Sequence, residues 1–341
     1  MTTPFEMGPI RPVDEADSLL IRTTRGCPWN RCTFCTLYKE MKFSLRPVAD
    51  IKQDILAARD YFNGHPFETC FLQDGDSFVM ETKDLIEVLE CLNEAFPSLK
   101  RISSYGRAQT MVKKSPADMK AIREAGLNKL YCGMESGSAR VLKHVKKGIT
   151  PESIIRSAQM ARDAGMEMTQ FIILGLGGKE LSREHAIETA RVLNEINAED
   201  IRVLTIGVKF DSDLGRKMAE GKFTLPSEVE IIQEQRLLLE NLSGIESHYA
   251  NHHSVDLLME VRGQLPRDRA KLLAILDRFL RLDPGDQINF VLGRRLGYYR
   301  LLLDMENEQT HQFVERQARK IRAEGQSSFE EIFHRLRIQV I

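Results

Sequence analysis

The sequence predicts an α/β protein, namely a partial (β/α)6 TIM-type barrel with a C-terminal helical extension. Six short apolar runs alternate with stretches of helical periodicity, which is typical of a parallel sheet with right-handed crossovers. Six such units in about 200 residues suit a partly closed barrel better than a complete eightfold one. Beyond about Pro226 the strand signal fades and helical periodicity continues. A doubly wound open sheet is the alternative, because periodicity alone does not separate the two folds.

Each predicted strand is a short apolar run that ends at a turn or a polar loop. In chain order the strands are expected at residues 18–23, 68–72, 101–105, 129–134, 168–174 and 201–206. One helix is especially well marked, since Thr150 is a capping residue, Pro151 suits the first helical position and Gly165 ends the pattern. Ser182 is expected to cap the following helix.

After the sixth strand the sequence pattern becomes helical, so the chain can be divided into three parts. The apolar spacing predicts helices over 229–242, 272–280, 288–303 and 311–321. We therefore expect an N-terminal lead-in (1–17), the barrel (18–225) and the helical extension (226–341).

Composition excludes several classes of protein. Of the 341 residues, 42% are hydrophobic and 28% are charged, which is enough to build a core and argues against a disordered chain. The 48 basic and 49 acidic residues nearly cancel, which argues against a globally basic nucleic-acid binder. Neither a signal-peptide pattern nor an apolar run of membrane-spanning length is found, so a cytoplasmic protein is expected.

Three cysteines within one short segment are the most informative feature. Cys27, Cys32 and Cys35 have the spacing C-x4-C-x2-C and follow the first predicted strand, where barrel active sites form. Three thiolates can bind three irons of a polynuclear iron–sulfur cluster and leave one iron open to a non-protein ligand. Zinc is the alternative, with a fourth ligand such as His65.

The other cysteines and the histidines carry weaker signals. Cys70, Cys91 and Cys132 are scattered, are expected to be core residues and do not have the spacing of a second cluster. The segment 248–253 contains three histidines, which could bind a metal, but no carboxylate or cysteine pattern completes a site. We expect this segment to be a substrate-facing loop at the mouth of the barrel.

The cysteine segment resembles the radical S-adenosylmethionine (SAM) superfamily. The superfamily signature has three cysteines in the first strand-to-helix loop and an aromatic residue just before the third, the place that Phe34 occupies here. The commonest spacing is C-x3-C-x2-C, so this chain has one additional residue. The resemblance covers roughly residues 18–208 and is strongest to the branch of methylthiotransferases, coproporphyrinogen dehydrogenase-like enzymes and elongator-type tRNA-modifying subunits. Within that branch, a poorly characterised group shares GCPWNRCTFC, a Tyr38-Lys39 segment and a late Leu-Pro-Arg-Asp at 265–268.

The resemblance implies a set of SAM-binding residues. The loop after the second strand would hold the methionyl amino group, the third strand would contact SAM, and the Gly-x-Glu-Ser-Gly element would accept hydrogen bonds from its ribose or amino group. Cations would face its carboxylate, and a glycine loop would allow close approach on the adenine side. The cofactor-binding residues implied in this way are Phe34, Gln73, Asp74, Gly75, Asp76, Ser103, Ser104, Glu135, Ser136, Arg140, Lys147 and Gly175. The alternatives are an ordinary Asp-Gly turn at 74–75, structural serines at a strand end and exposed helix charges.

The implied function is that of a radical SAM enzyme with one 4Fe–4S cluster and SAM as cofactors. Such an enzyme cleaves SAM reductively to a 5′-deoxyadenosyl radical, which abstracts hydrogen from a substrate that the sequence does not identify. A low-potential electron donor such as flavodoxin or ferredoxin is expected as a partner, whereas a membrane or a nucleic acid is not. The alternative is a non-enzymatic iron–sulfur or zinc protein with a structural or adaptor role.

Overall fold

The computed structural model describes residues 3–325 and 327–340. Eight strands form one sheet and two very short strands form a separate hairpin. The strands are β1 (Leu19–Arg22), β2 (Thr24–Arg25), β3 (Ser44–Leu45), β4 (Thr69–Gln73), β5 (Arg101–Gly106), β6 (Leu127–Glu135), β7 (Glu167–Leu174), β8 (Asp200–Thr205), β9 (His248–Asn251) and β10 (Arg262–Gln264).

The strand order separates the two folds that periodicity left open. Apart from the hairpin β2–β3, the strands lie side by side in chain order, from β1 through β4 to β10. A doubly wound sheet reverses its strand order at a switch point, so it is excluded. Pairing is parallel from β1 to β6 and between β8 and β9. The predicted α/β partial TIM-type barrel is confirmed, and each of the six predicted strands ends within two residues of its expected bounds.

Thirteen α-helices are found within the described residues. They are α1 (Val48–Tyr61), α2 (Thr82–Ala95), α3 (Ala108–Met111), α4 (Pro116–Glu124), α5 (Ala139–His144), α6 (Pro151–Asp163), α7 (Gly178–Ile196), α8 (Asp213–Ala219), α9 (Glu228–Asn241), α10 (Arg269–Leu280), α11 (Pro284–Arg295), α12 (Glu308–Glu324) and α13 (Phe329–Ile338). Thr150 caps α6 with Pro151 in its first turn, as predicted. The prediction for Ser182 is wrong, because α7 begins at Gly178, where the Lys179 N–H donates to the carbonyl of Thr224 at 2.9 Å.

The chain divides into two compact units. The first comprises the residues up to Met134 together with Lys146–Gln170. Its core contains the helix-facing side chains of β1, β4 and β5, among them Leu19, Ile21 and Leu72, which are 1% exposed or less. Cys70, Cys91 and Cys132 are buried, which confirms their prediction as core residues.

The second unit comprises Glu135–Val145 together with the residues from Phe171 onward. Helix α7 packs on α9, and α9 on α10. The segment after residue 226, expected to be a helical extension, contains α9 to α13 and also two short strands that were not predicted, since β9 pairs in parallel with β8 and β10 is antiparallel to β9. Both strands are short and polar, so they lack the apolar run by which a strand is recognised.

A buried charged cluster connects three helices of the second unit. Glu228, at the start of α9, lies 2.8 Å from the Arg295 guanidinium of α11 and 2.6 Å from that of Arg337 in α13. Burial alone would raise the pKa of Glu228, but the two arginines hold it below its usual value.

Among the described residues, no helix combines the length and the apolar character needed to cross a membrane.

Candidate active site

The three clustered cysteines lie on a loop that is closed at its base. Strands β2 and β3 pair with Thr24 opposite Leu45, so residues 26–43, here called the cysteine loop, leave and re-enter the fold at one place. Cys32 is buried, Cys27 and Cys35 are half-buried, and none of the three is in a disulfide. Within the described residues no three His, Cys, Asp or Glu side chains are gathered as a metal-binding group. The loop therefore brings the thiols into one segment without gathering them around one point.

The additional residue of the C-x4-C spacing is accommodated by a left-handed backbone. Asn30 has φ 45°, a conformation that asparagine tolerates better than most residues, and its side-chain amide donates to the Tyr38 carbonyl at 2.6 Å. The neighbouring Trp29 donates from its indole N–H to the Lys146 carbonyl at 2.7 Å. The first half of the cysteine loop is thus attached both to its own end and to the segment after α5.

A buried carboxylate holds both ends of the cysteine motif. Asp74, at the end of β4, is 0% exposed and accepts hydrogen bonds from the Gly26 N–H at 3.1 Å and the Tyr38 hydroxyl at 3.0 Å. The Arg22 guanidinium lies 2.7 Å away and balances its charge. Burial and the Asp74 charge raise the pKa of Tyr38 far above its usual value, so the phenol stays protonated and donates.

The neighbours of Asp74 also have partners within the first unit. The Gln73 side chain accepts from the Gly8 N–H at 2.8 Å and donates to the Ile10 carbonyl at 3.2 Å. Gly75 touches the cysteine loop, since a Cβ built on it would lie 3.0 Å from the Cys27 Cα. Of the four predicted residues in this loop, only Gly75 is not fully buried.

Asp76 connects the loop after β4 to residues outside the cysteine loop. Its carboxylate accepts from the Phe78 N–H at 3.1 Å and the Thr110 hydroxyl at 2.6 Å. Burial raises the pKa of Asp76 to about 7, despite these hydrogen bonds. Asp76 therefore attaches the end of β4 to the segment that follows β5.

The two predicted serines of β5 are fully buried and have protein partners. The Ser103 hydroxyl donates to Glu15 at 2.9 Å, and the Ser104 hydroxyl donates to the Tyr105 carbonyl at 2.9 Å. Glu15 is 0% exposed and also accepts from the Tyr131 hydroxyl at 2.7 Å. Sequence reasoning missed Glu15, because its partners lie far along the chain and no local pattern links them.

Aromatic residues and a buried lysine complete the site-facing part of the first unit. Tyr105 is half-buried, and its ring packs edge-on against Phe71 with centroids 5.0 Å apart. Lys147 is only 6% exposed, and its carbonyl accepts from the Arg107 guanidinium at 3.2 Å. Phe34 is half-buried within the cysteine loop.

The predicted Glu-Ser-Gly element lies in the second unit, where Ser136 is anchored by a histidine. The Ser136 hydroxyl is 2.8 Å from Nδ1 of His185, whose Nε2 is 2.9 Å from the Ile173 carbonyl. Gly137 cannot be replaced without movement, since its Cβ would lie 2.2 Å from the Glu188 carbonyl oxygen.

The remaining predicted residues of the second unit differ in exposure. Glu135 is 9% exposed and has a left-handed backbone with φ 61°, which is uncommon outside glycine and asparagine. Arg140 forms an exposed ion pair with Glu184 at 2.6 Å, which fits the alternative of a surface charge. Gly175, with φ 77°, donates its N–H to the buried carboxylate of Glu234 at 2.7 Å.

The three histidines of segment 248–253 are separated by strand β9. His248 lies at its start beside Arg202, at 2.9 Å, whereas the other two follow its end. There the backbone N–H groups of His252 and His253 both donate to Asp256 at 2.9 Å. No metal-binding group forms here among the described residues.

Comparison with known families agrees with the motif. The model of the radical SAM superfamily matches residues 21–193, which is half of the chain and contains all three clustered cysteines. The chain belongs to the radical SAM superfamily. The cofactors of this superfamily are the predicted 4Fe–4S cluster and SAM.

Several known radical SAM relatives share part of their length with this chain. An uncharacterized methyltransferase of Pyrococcus horikoshii is 26% identical over 189 residues, which is 53% of this chain and 37% of that protein. The heme chaperone HemW of Bacillus subtilis is 23% identical over 195 residues, 56% of this chain and 50% of the relative. The chain thus spans half or less of the curated relatives it matches.

Solved structures share the fold. Coproporphyrinogen III oxidase (HemN) from Escherichia coli superimposes with a TM-score of 0.51 and 20% identity over 65% of this chain and 52% of that one. The radical SAM methyltransferase TsrM from Kitasatospora setae gives a TM-score of 0.50 and 15% identity over 89% of this chain and 61% of that one.

The donors of the cysteine loop fit the cluster of this radical SAM protein. The three cysteines of this loop form no disulfide, and the backbone of Gly75 lies against Cys27 so closely that a Cβ there would be 3.0 Å from the Cys27 Cα. His65, the zinc ligand considered from the sequence, instead packs edge-on against Phe67 with ring centroids 4.6 Å apart.

Proposed function

We propose that the chain is a radical SAM enzyme in which Cys27, Cys32 and Cys35 bind three irons of one 4Fe–4S cluster and leave the fourth for SAM. The cysteine loop carries this proposal, because its three cysteines form no disulfide and follow β1 at the edge where barrel active sites form. When bound, the cluster and SAM supply reductive cleavage of SAM to methionine and a 5′-deoxyadenosyl radical, which takes hydrogen from a substrate. The protein binds, orients and shields these groups.

In the first unit, the backbone at Gly75 is the best candidate for holding the amino group of SAM. The side chains on either side of it are buried and engaged elsewhere, whereas Gly75 is half-exposed beside Cys27. Lys147, which is buried, would supply a cation for the SAM carboxylate, and Phe34, which is half-buried in the cysteine loop, would shield the cluster. The burial of Ser103 supports a structural role for it.

In the second unit, Glu135 and Gly175 are the candidates for SAM contact. Glu135 is 9% exposed at the end of β6 and belongs to the Gly-x-Glu-Ser-Gly element, whose resemblance to the family supports a role for it in accepting hydrogen bonds from hydroxyl or amino groups. The left-handed Gly175 permits close approach of a ligand to the backbone. Ser136, held by His185, orients this element, and the exposed ion pair of Arg140 with Glu184 supports a surface role for that arginine.

Anaerobic reconstitution with iron and sulfide tests the proposal. We expect about four irons and four sulfides per chain, and 5′-deoxyadenosine when SAM and dithionite are added. Cys32→Ala should lose the cluster, whereas Cys91→Ala, which alters a buried cysteine of α2, should retain it. A full cluster in Cys32→Ala, or a colourless zinc protein in the wild type, would refute the ligand assignment.

A second candidate is a non-enzymatic iron–sulfur protein with an adaptor or chaperone role. One observation favours it, namely that a relative matching over half of this chain is named a heme chaperone. A reconstituted protein that binds heme, seen as a Soret band on titration, but forms no 5′-deoxyadenosine would select this function. The electron donor and the substrate are proposed by class alone: a flavodoxin- or ferredoxin-type protein and a molecule with an abstractable hydrogen.

A further inference from the structure

We propose that Asp74 is a positioning residue for the cysteine loop rather than a ligand of SAM. Its carboxylate fastens the residue directly before the first cysteine and a residue shortly after the third, so all three thiols lie between two points held by one side chain. The consequence for cluster binding rests on the function proposed above. The attachment itself is a property of the protein without any cofactor.

Each of the two anchor points is held twice. Gly26 donates its N–H to Asp74, and its carbonyl accepts from the Gly75 N–H at 3.3 Å. Tyr38 donates its hydroxyl to Asp74, and its carbonyl accepts from the Asn30 amide at 2.6 Å. Asp74 is the only one of these partners that contacts both anchors, so its removal frees the two ends of the motif relative to each other.

The negative charge of Asp74 strengthens the hydrogen bonds that hold the cysteine loop. The carboxylate is 0% exposed and forms an ion pair with Arg22, whose own side chain is only 9% exposed and also pairs with Glu6 at 2.8 Å. Hydrogen bonds to a buried charged acceptor are stronger than neutral ones. Asn at position 74 would keep the shape of the side chain but weaken both anchors and leave part of the Arg22 charge unbalanced.

The chain contains a matched control two residues away. Asp76 has the same burial and lies in the same loop, but its carboxylate accepts from Phe78 and Thr110, which lie outside the cysteine loop. Asp74→Asn and Asp76→Asn therefore each replace a fully buried carboxyl group of this loop by an amide, and only the first should affect the cysteines.

Alkylation of the cluster-free protein with iodoacetamide, followed by mass spectrometry, measures the attachment directly. In the wild type, Cys32 at 7% exposure should react more slowly than the half-buried Cys27. In Asp74→Asn, Cys32 should react about tenfold faster, because one charge-assisted hydrogen bond corresponds to at least that factor. Cys70, which is 0% exposed, should stay protected and so report that the fold is intact.

The outcomes are distinct. Asp76→Asn should leave the protection of Cys32 unchanged, and Tyr38→Phe, which removes only one anchor, should give an intermediate rate. Equal Cys32 rates in Asp74→Asn and the wild type would overturn the proposal. The proposal would also be overturned if Cys32 and Cys70 both became reactive in Asp74→Asn, because Asp74 would then stabilise the whole unit rather than position the loop.

Cluster-loaded protein gives a second readout. Iron should leave Asp74→Asn to a chelator faster than it leaves Asp76→Asn, and the midpoint potential of the cluster should shift to a more positive value, because a negative charge near it has been removed. If no variant, including the wild type, assembles a cluster, the proposed function fails, but the alkylation result still decides the role of Asp74.

Discussion

Replacing Gly148 by alanine should displace the only tryptophan of the chain from the cysteine loop. A Cβ at position 148 would lie 2.2 Å from Cζ2 and 2.4 Å from Cε2 of Trp29. Ordinary van der Waals contact begins at 3.4 Å, so the indole ring has to move by more than about 1 Å. Because Trp29 lies between the first two cysteines, this movement is passed to the thiols.

The expected loss of stability has two parts. Gly148 has φ +73°, and a residue with a side chain pays about 1–2 kcal/mol to adopt that left-handed conformation. Displacement of the ring adds about 1–3 kcal/mol, as is usual for overpacking. Gly165 separates the two parts, since it has φ +76° and no atom lies within 4 Å of the position that a Cβ would take there, so Gly165→Ala carries only the first.

Tryptophan fluorescence and urea denaturation measure the two parts separately. In Gly148→Ala the emission of Trp29 should shift to the red, and its ring should become more accessible to acrylamide. The reason is that the ring moves away from residue 148 and its hydrogen bond to the Lys146 carbonyl weakens. The spectrum of Gly165→Ala should match that of the wild type, and its urea midpoint should lie between those of the other two proteins. Identical spectra and midpoints for both variants would refute the packing argument.

Two further predictions concern buried charges in the second unit. Burial raises the pKa of Asp256 from 3.8 to about 6. Ionisation of this carboxyl group therefore lowers the free energy of unfolding by about 3 kcal/mol at pH 8. The loss develops as the pH rises from about 4 to about 7. Asp256→Asn should therefore gain stability relative to the wild type through that window, by urea denaturation, and a difference that does not change with pH would contradict this. Glu228→Gln should lose about 3 kcal/mol or more, because Arg295 and Arg337 then lack a buried counter-charge, whereas Arg337→Met leaves a balanced pair and should lose less. The reverse order in chemical denaturation would show that the pairing with Arg337 matters more than charge balance.

Most of the fold was predictable because its strands are short apolar runs between clear turn signals. The run 168–174, for example, is flanked by Gly165 and by the glycines that follow residue 174, and the structure has β7 at Glu167–Leu174. Strands β9 and β10 were not predictable, since His248–Asn251 contains two polar residues and pairs only because β8 offers a free edge. The start of α7 was missed for a similar reason, because a backbone contact to Thr224 determines it.

The candidate site was predictable only in part, for a physical reason. Local spacing identifies Cys27, Cys32 and Cys35, because three donors to one cluster have to be near each other in a short loop. Whether a carboxylate is a ligand or a structural anchor depends on the donors that the fold brings to it. For Asp74 these donors come from Arg22, 52 residues earlier, and Tyr38, 36 residues earlier.

The burial of the carboxylates in the acidic loop after β4 indicates what these residues do. An exposed carboxylate there would be free to bind the amino group of SAM, but Asp74 and Asp76 are both 0% exposed and accept hydrogen bonds from different segments, namely from Tyr38 and from Thr110. A buried carboxylate is stable only when its donors are fixed, so each of these residues also fixes its neighbour loop. Between them Gly75 has no side chain to interfere, and its backbone is the part of the loop that remains accessible. Asp74 and Asp76 therefore attach the loop to two other segments, and Gly75 is the position that we propose for contact with SAM.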